Sequence, residues 1–216
     1  MKANLITLIR ISMAFVSAAL FGRTPLASLM ATALMVIAIS LDAVDGWVAR
    51  RFGCASRAGA AFDIAGDRIL ENVFWITFAR LGLISYWIPI VIIARGCLTD
   101  FIRATAFAEG KTAFGDGGMM ETWWGKLLVG SRASRAIYGI LKCGAFLLLG
   151  VWETLSSIPG FPVRAAAEIL GELAIPEMAK ATAIVTVMAC LVRGIPVFIE
   201  GARFFKRSAI AEERSI

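Results

Sequence analysis

The sequence predicts an all-α integral membrane protein with six transmembrane helices, and three observations predict it. Of the 216 residues, 59% are hydrophobic and only 18% are charged, whereas a soluble domain is about 45–50% apolar and about 25% charged. The apolar residues fall in runs close to the roughly twenty that a helix needs to cross about 30 Å of hydrocarbon. The basic residues gather at the ends of those runs, the placement that orients helices in a bilayer. The chain carries a net charge of +6, but that placement points to anionic lipid and away from a nucleic-acid partner.

The first helix covers about residues 4–22 and ends at Gly22-Arg23-Thr24-Pro25, where a glycine stop and a proline start sit side by side. Its apolar run contains Arg10 and lacks a small-residue cleavage site, so it reads as a retained helix and not a signal peptide. A second helix takes about 25–49, and a basic connector from Arg50 to Arg57 leads to a third at about 58–81. Helices at about 85–109, 132–155 and 178–205 complete the set. Between the fourth and fifth lie a turn-rich loop, 111–118, and the interfacial pair Trp123-Trp124. Segment 162–174 is amphipathic, with Arg164, Glu168 and Glu172 among Ala, Ile and Leu, and is expected on the membrane surface. No internal repeat or linker interrupts the chain, so residues 1–216 are expected to form one membrane domain.

Some chemistries are excluded at once. There is no histidine, which removes imidazole acid–base catalysis, His-ligated zinc and any Ser-His-Asp triad. Cys54, Cys97, Cys143 and Cys190 show no Cys-x2-Cys spacing and read as small buried hydrophobes.

What the chain does contain is an acid cluster between two apolar runs. Asp42, Asp45, Gly46, Ala49, Arg50, Gly59, Asp63 and Asp67 read Asp-x2-Asp-Gly-x2-Ala-Arg-x8-Gly-x3-Asp-x3-Asp. An Asp at the centre of a membrane helix costs roughly 2.5–3.5 kcal/mol, less near the interface. Four together require compensating charge, and a hard divalent cation bound by carboxylates and substrate phosphates would supply it. On a helix, Asp42 and Asp45 lie about 60° apart and Asp63 and Asp67 about 40° apart. Each pair therefore points one way, and two adjacent helices can aim both pairs at one site. Gly46, Ala49 and Gly59 stand four residues from an acid on the same rows, leaving a floor without bulky side chains for a flat ligand. Acid pairs beside such a floor suit a nucleotide diphosphate.

This pattern resembles the signature of the CDP-alcohol phosphotransferases, integral membrane enzymes of phospholipid head-group synthesis. It is complete here, and a chance match in this chain would be on the order of one in ten million. The run Asn4-x2-Thr7-x2-Arg10 is also similar to the opening of the family's first helix. The resemblance implies transfer of a phosphatidyl group from CDP-diacylglycerol to an alcohol, with release of CMP. It further implies Mg²⁺ or Mn²⁺, two ions, held by Asp42, Asp45, Asp63 and Asp67, with Asp67 acting as ligand, general base or both. Gly46, Ala49, Arg50, Gly59, Asn4 and Thr7 are expected on the nucleotide side, and a homodimer follows by the same resemblance.

For the acceptor, Arg95, Arg103, Lys126, Arg132 and Arg135 are the candidate phosphate-binding cations. Arg95 follows Ile92-Ile93-Ala94 deep in an apolar run and must face a cavity or a partner. The segment Ile93-Ala94-Arg95 is similar to phosphatidylglycerophosphate synthases, so sn-glycerol 3-phosphate is the favoured acceptor. Gly115-Asp116-Gly117-Gly118 is closer to phosphatidylinositol-phosphate synthases, which is the alternative within the family. A cation transporter is the alternative from another class, but its acids should line a path across the membrane, and these gather at one face. The count of Lys and Arg puts both termini and the acid cluster, at the ends of helices one to three, on the cytoplasmic side of the cell membrane.

Overall fold

The computed structural model describes residues 2–52, 57–108, 122–159 and 175–213. Side chains are described for these residues except at 2–4, 42–52, 57, 58, 60, 107, 108 and 203–213. Every described element is helical: α1 (Lys2–Leu20), α2 (Pro25–Phe52), α3 (Arg57–Arg80), α4 (Trp87–Ala108), α5 (Trp123–Gly125), α6 (Arg132–Ser156) and α7 (Ile175–Glu213). A π-helical turn, Lys126–Gly130, follows α5. All six expected helices are present, with ends within a few residues of expectation except at α7, which runs further. The helix α2 extends past residue 49, so Arg50 and Arg51 are helical rather than connector. The short α5 and its π turn were not foreseen. The amphipathic segment 162–174 and the loop 111–118 lie outside the described residues.

The helix ends follow from local chemistry. Gly22, at φ +77°, takes the left-handed conformation that ends α1. Two residues on, Thr24 caps α2 by accepting from the Ala27 amide at 3.1 Å, and Pro25 opens that helix without a donor to waste. Gly82, at φ +73°, ends α3 in the same way, with the Leu83 amide reaching back to the Phe78 carbonyl. Ser131 caps α6 through the Ser134 amide at 3.1 Å.

By packing, the chain divides into two compact units, residues 1–89 with 143–183 and residues 90–142 with 184–216. In the first, α1 packs against both α2 and α3. Its core is aromatic: Trp75 meets Phe146 edge-on at 4.8 Å, Phe74 does so at 5.5 Å, and Phe21 tilts against Phe78 at 5.5 Å. Gly150 lets α6 come close to α2, with Thr32 donating to the Gly150 carbonyl at 3.1 Å. In the second unit, Ile102, Ala106, Val129 and Val197 form a small core beside Leu128 and Phe198.

Around its aromatic core the first unit also buries several polar groups and exposes many large apolar ones. Thr7, Arg10, Ser17, Ser28, Thr32, Glu71 and Glu153 are buried, while Leu5, Phe15, Leu26, Leu29 and Ile37 are exposed. Several of the buried groups bond to neighbouring backbone, as Ser17 does to the Ala31 carbonyl at 2.8 Å. That distribution suits hydrocarbon as the outer solvent and would be costly in water. Helix α6 and the part of α7 from Ile175 to Ala202 are long and apolar enough to cross a membrane. Leu5–Leu20 and Pro25–Leu41 are apolar but shorter.

The seam at Gly150 gives a stability test. A side chain there meets the Met35 methyl at 2.8 Å and the Thr32 hydroxyl at 3.1 Å. Gly150→Leu is expected to destabilise the fold by about 1–3 kcal/mol, as overpacked cores do. Thermal unfolding of the detergent-solubilised protein checks it.

Candidate active site

The acid pair of α3 is held by an arginine of α1. Arg10 is buried, with 3% of its side chain exposed, yet its guanidinium reaches two carboxylates that are 42% and 44% exposed. Nη2 donates to Asp67 Oδ1 at 2.8 Å, and Nη1 lies 3.4 Å from Asp63 Oδ1. The third donor, Nε, bonds to the Ala38 carbonyl of α2 at 3.2 Å. Ala38 stands four residues, one turn, before Asp42. One side chain therefore joins α1 to α2 and α3, next to the rows on which the acids lie.

The sequence explains why the three helices can meet so closely. Gly66 faces Thr7, and any Cβ on Gly66 would overlap the Thr7 methyl. A glycine here brings the backbone of α3 against α1. Asp63 and Asp67, one turn apart, then present on the side where Arg10 arrives. Further along α3, Glu71 is buried and lies 3.9 Å from Arg68 Nη1.

Of the expected metal ligands, Asp63 and Asp67 are thus together, partly open to the outside and charge-compensated. Asp42 and Asp45 lie on α2, and their side chains are outside the description, as are those of Gly46, Ala49, Arg50 and Asn4. Gly59 stands one turn before Asp63 on α3. Thr7, expected on the nucleotide side, is 2% exposed and packs in the α1–α3 seam. Among the described residues no three carboxylates or cysteines converge into a metal site. The chemistry of the donors nevertheless fits a hard cation. Both are carboxylate oxygens, and a guanidinium already stands against them as a positive group would.

The expected acceptor cations belong to the second unit. Arg95 on α4 is half-buried, and its Nε has no hydrogen-bond partner among the described residues. It lies against Gly194 of α7, where a Cβ would come within 3.1 Å of that nitrogen. Beside it on α7 is Arg193, which the sequence reading did not single out. Arg193 donates to Ser134 at 2.5 Å and stacks over the Tyr138 ring at 5.6 Å. It is close enough to Arg95 and Arg135 for their charges to repel. Three guanidinium groups from α4, α6 and α7 therefore share one neighbourhood. Lys126, in the π turn, and Arg132, at the start of α6, are exposed, and Arg103 lies about two turns beyond Arg95 on α4. The missed signal was available, because Arg193 interrupts an apolar run just as Arg95 does.

Comparison with known proteins identifies the family. The profile of the CDP-alcohol phosphatidyltransferase family matches residues 1–192. The chain belongs to that family. It is 28% identical over 175 residues to a probable phosphatidylglycerophosphate synthase of Mycobacterium tuberculosis, covering 78% of this chain and 83% of that protein. To an archaetidylinositol phosphate synthase of Aeropyrum pernix it is 34% identical over 135 residues, or 61% of this chain and 67% of the other. A putative cardiolipin synthase of Mycobacterium bovis is 26% identical over 167 residues, or 70% and 76% of the two chains. Membership in a transferase family sets aside the transporter alternative. The names of these relatives give different products.

Proposed function

We propose that residues 1–216 work as one membrane-embedded phosphatidyltransferase that moves a phosphatidyl group from CDP-diacylglycerol to a phosphorylated polyol. The favoured acceptor is sn-glycerol 3-phosphate. The observation that carries this reading is the complete eight-residue signature, with Asp63 and Asp67 aligned on α3 and compensated by Arg10. The acceptor is favoured by the arginine neighbourhood of Arg95, Arg135 and Arg193, a donor set suited to a phosphate dianion. The extent of the likeness to the phosphatidylglycerophosphate synthase supports it as well. In this reading the six long helices cross the cell membrane, both termini face the cytoplasm, and the chain pairs as a homodimer.

The reaction breaks one phosphoanhydride bond and forms one phosphodiester. An acceptor hydroxyl attacks the phosphorus that bears diacylglycerol, its proton passes to the Asp67 carboxylate, and CMP leaves with the bonding electrons. Asp42, Asp45, Asp63 and Asp67 would hold Mg²⁺ or Mn²⁺, which when bound neutralises the diphosphate and stabilises its leaving oxygen. Gly46, Ala49 and Gly59 leave room for the nucleotide, with Arg50, Asn4 and Thr7 on the same side. The phosphatidylinositol-phosphate synthase alternative shares every one of these steps and differs only in the acceptor.

Asp67→Asn is expected to abolish transfer while CDP-diacylglycerol binding largely survives, because three acids would still hold metal but the proton acceptor would be gone. Purified protein, CMP release and a direct donor-binding measurement separate the two effects. Near-normal turnover would remove Asp67 from the base role.

Chelation with EDTA should silence the wild type, and added Mg²⁺ or Mn²⁺ should restore it. Activity that persists after thorough chelation would overturn the metal-dependent reading.

Loss of one charge-assisted phosphate contact costs about 1.5–3 kcal/mol, or roughly ten- to a hundredfold in acceptor kcat/KM. Arg95→Ala, Arg135→Ala and Arg193→Ala should each lower acceptor use by that factor with donor affinity nearly intact. Titration of both substrates against each variant is the check. A better rate with inositol or serine than with a phosphorylated polyol would overturn the acceptor assignment.

A further inference from the structure

Arg10 does more in this chain than join helices. Its guanidinium spreads across Asp63 and Asp67, using Nη1 for one and Nη2 for the other. The guanidinium end cannot withdraw easily, because Nε is tied to the Ala38 carbonyl and 97% of the side chain is covered. The carboxylates, by contrast, are more than two-fifths exposed and reachable from outside. A fixed positive charge thus stands permanently behind an accessible acid pair.

We infer that Arg10 is a built-in counter-ion that sets the cation affinity of the acid cluster, holding it low until an anionic donor arrives. The inference rests on the metal-dependent reading above and concerns the order in which that site fills. Mg²⁺ sits about 2.0–2.1 Å from a carboxylate oxygen that ligates it. It would therefore lie close to a guanidinium that is 2.8–3.4 Å from the same carboxylates. Like charges at such a separation repel strongly in a partly buried site, where the effective dielectric is well below that of water. The repulsion lowers the affinity of the free protein for its cation. The diphosphate of a CDP-linked donor brings negative charge of its own and offsets the repulsion, so ion and donor bind best together. An unaccompanied cation is then weakly held, and the acids stay folded and compensated without it.

The sign of the effect separates charge compensation from simple scaffolding. A merely structural arginine, once removed, loosens the site and weakens cation binding. A compensating one, once removed, strengthens it. The experiment measures Mn²⁺ binding by electron paramagnetic resonance on the full chain in phosphatidylcholine nanodiscs, without nucleotide. Arg10→Gln, which keeps hydrogen-bonding capacity and removes the charge, should bind Mn²⁺ at least about tenfold more tightly than wild type. Arg10→Lys, which keeps the charge and loses the fork, should stay within about threefold of wild type. An affinity of Arg10→Gln equal to or weaker than wild type overturns the inference. So does a tenfold weakening in Arg10→Lys, which decides the matter even if Arg10→Gln fails to fold. Absence of Mn²⁺ binding in both wild type and Arg10→Gln, with CDP-diacylglycerol present as well as without it, overturns the inference together with the reading beneath it. Wild-type binding with the wrong response to Arg10→Gln overturns the inference alone.

Discussion

The ion pair that Arg10 of α1 makes with Asp63 and Asp67 of α3 is the contact on which the candidate site depends. Two carboxylates one turn apart on a helix repel each other, and a positive partner relieves that repulsion. The first helix supplies that partner from the protein side, while the opposite side of the acids stays exposed. The same side chain bonds to the backbone of α2 one turn before Asp42. Arg10 thereby adds a charged junction to the other contacts that hold the three helices. The close approach at Gly66 is a precondition, since a larger residue would push α3 away from Thr7.

Most of the helical architecture was legible because its cause is local. Apolar runs of the right length give helices; Gly22, Pro25 and Gly82 mark their ends by backbone preference, and Thr24 does so through its capping hydroxyl. Departures arose where length and composition say little. The α5 turn and its π-helical continuation depend on Thr122, whose hydroxyl caps the turn and bonds to Glu200 of α7. A contact across 78 positions has no signature in the local sequence. The extension of α2 through Arg50 and Arg51 has the converse cause. Basic residues are good helix formers, so a charged stretch need not be a connector.

The site was legible in its residue types and less so in its pairings. Spacing alone places Asp63 and Asp67 on one face of α3, and the structure has them engaged by one guanidinium. The identity of that guanidinium could not be read from α3, because a buried arginine in an apolar helix can face any neighbour. Arg10 was seen as a polar residue on the row of Asn4 and Thr7, without its partner. Arg193 was passed over, although an arginine between Val192 and Gly194 is as anomalous as one after Ala94. The rule that an intramembrane charge marks a cavity or partner applies to both. Applied evenly along the chain, it would have named both members of the pair.

The two sets of charges lie on different helices. The acid signature lies on α2 and α3, and Arg95, Arg135 and Arg193 lie on α4, α6 and α7. Phosphate affinity there depends on how many guanidinium groups converge and on what holds them. Arg193 is held by Ser134 and Tyr138, whereas Arg95 keeps a buried Nε that no described group satisfies. An unsatisfied buried donor is costly unless something accepts from it. An anion beside Arg95 would meet that need.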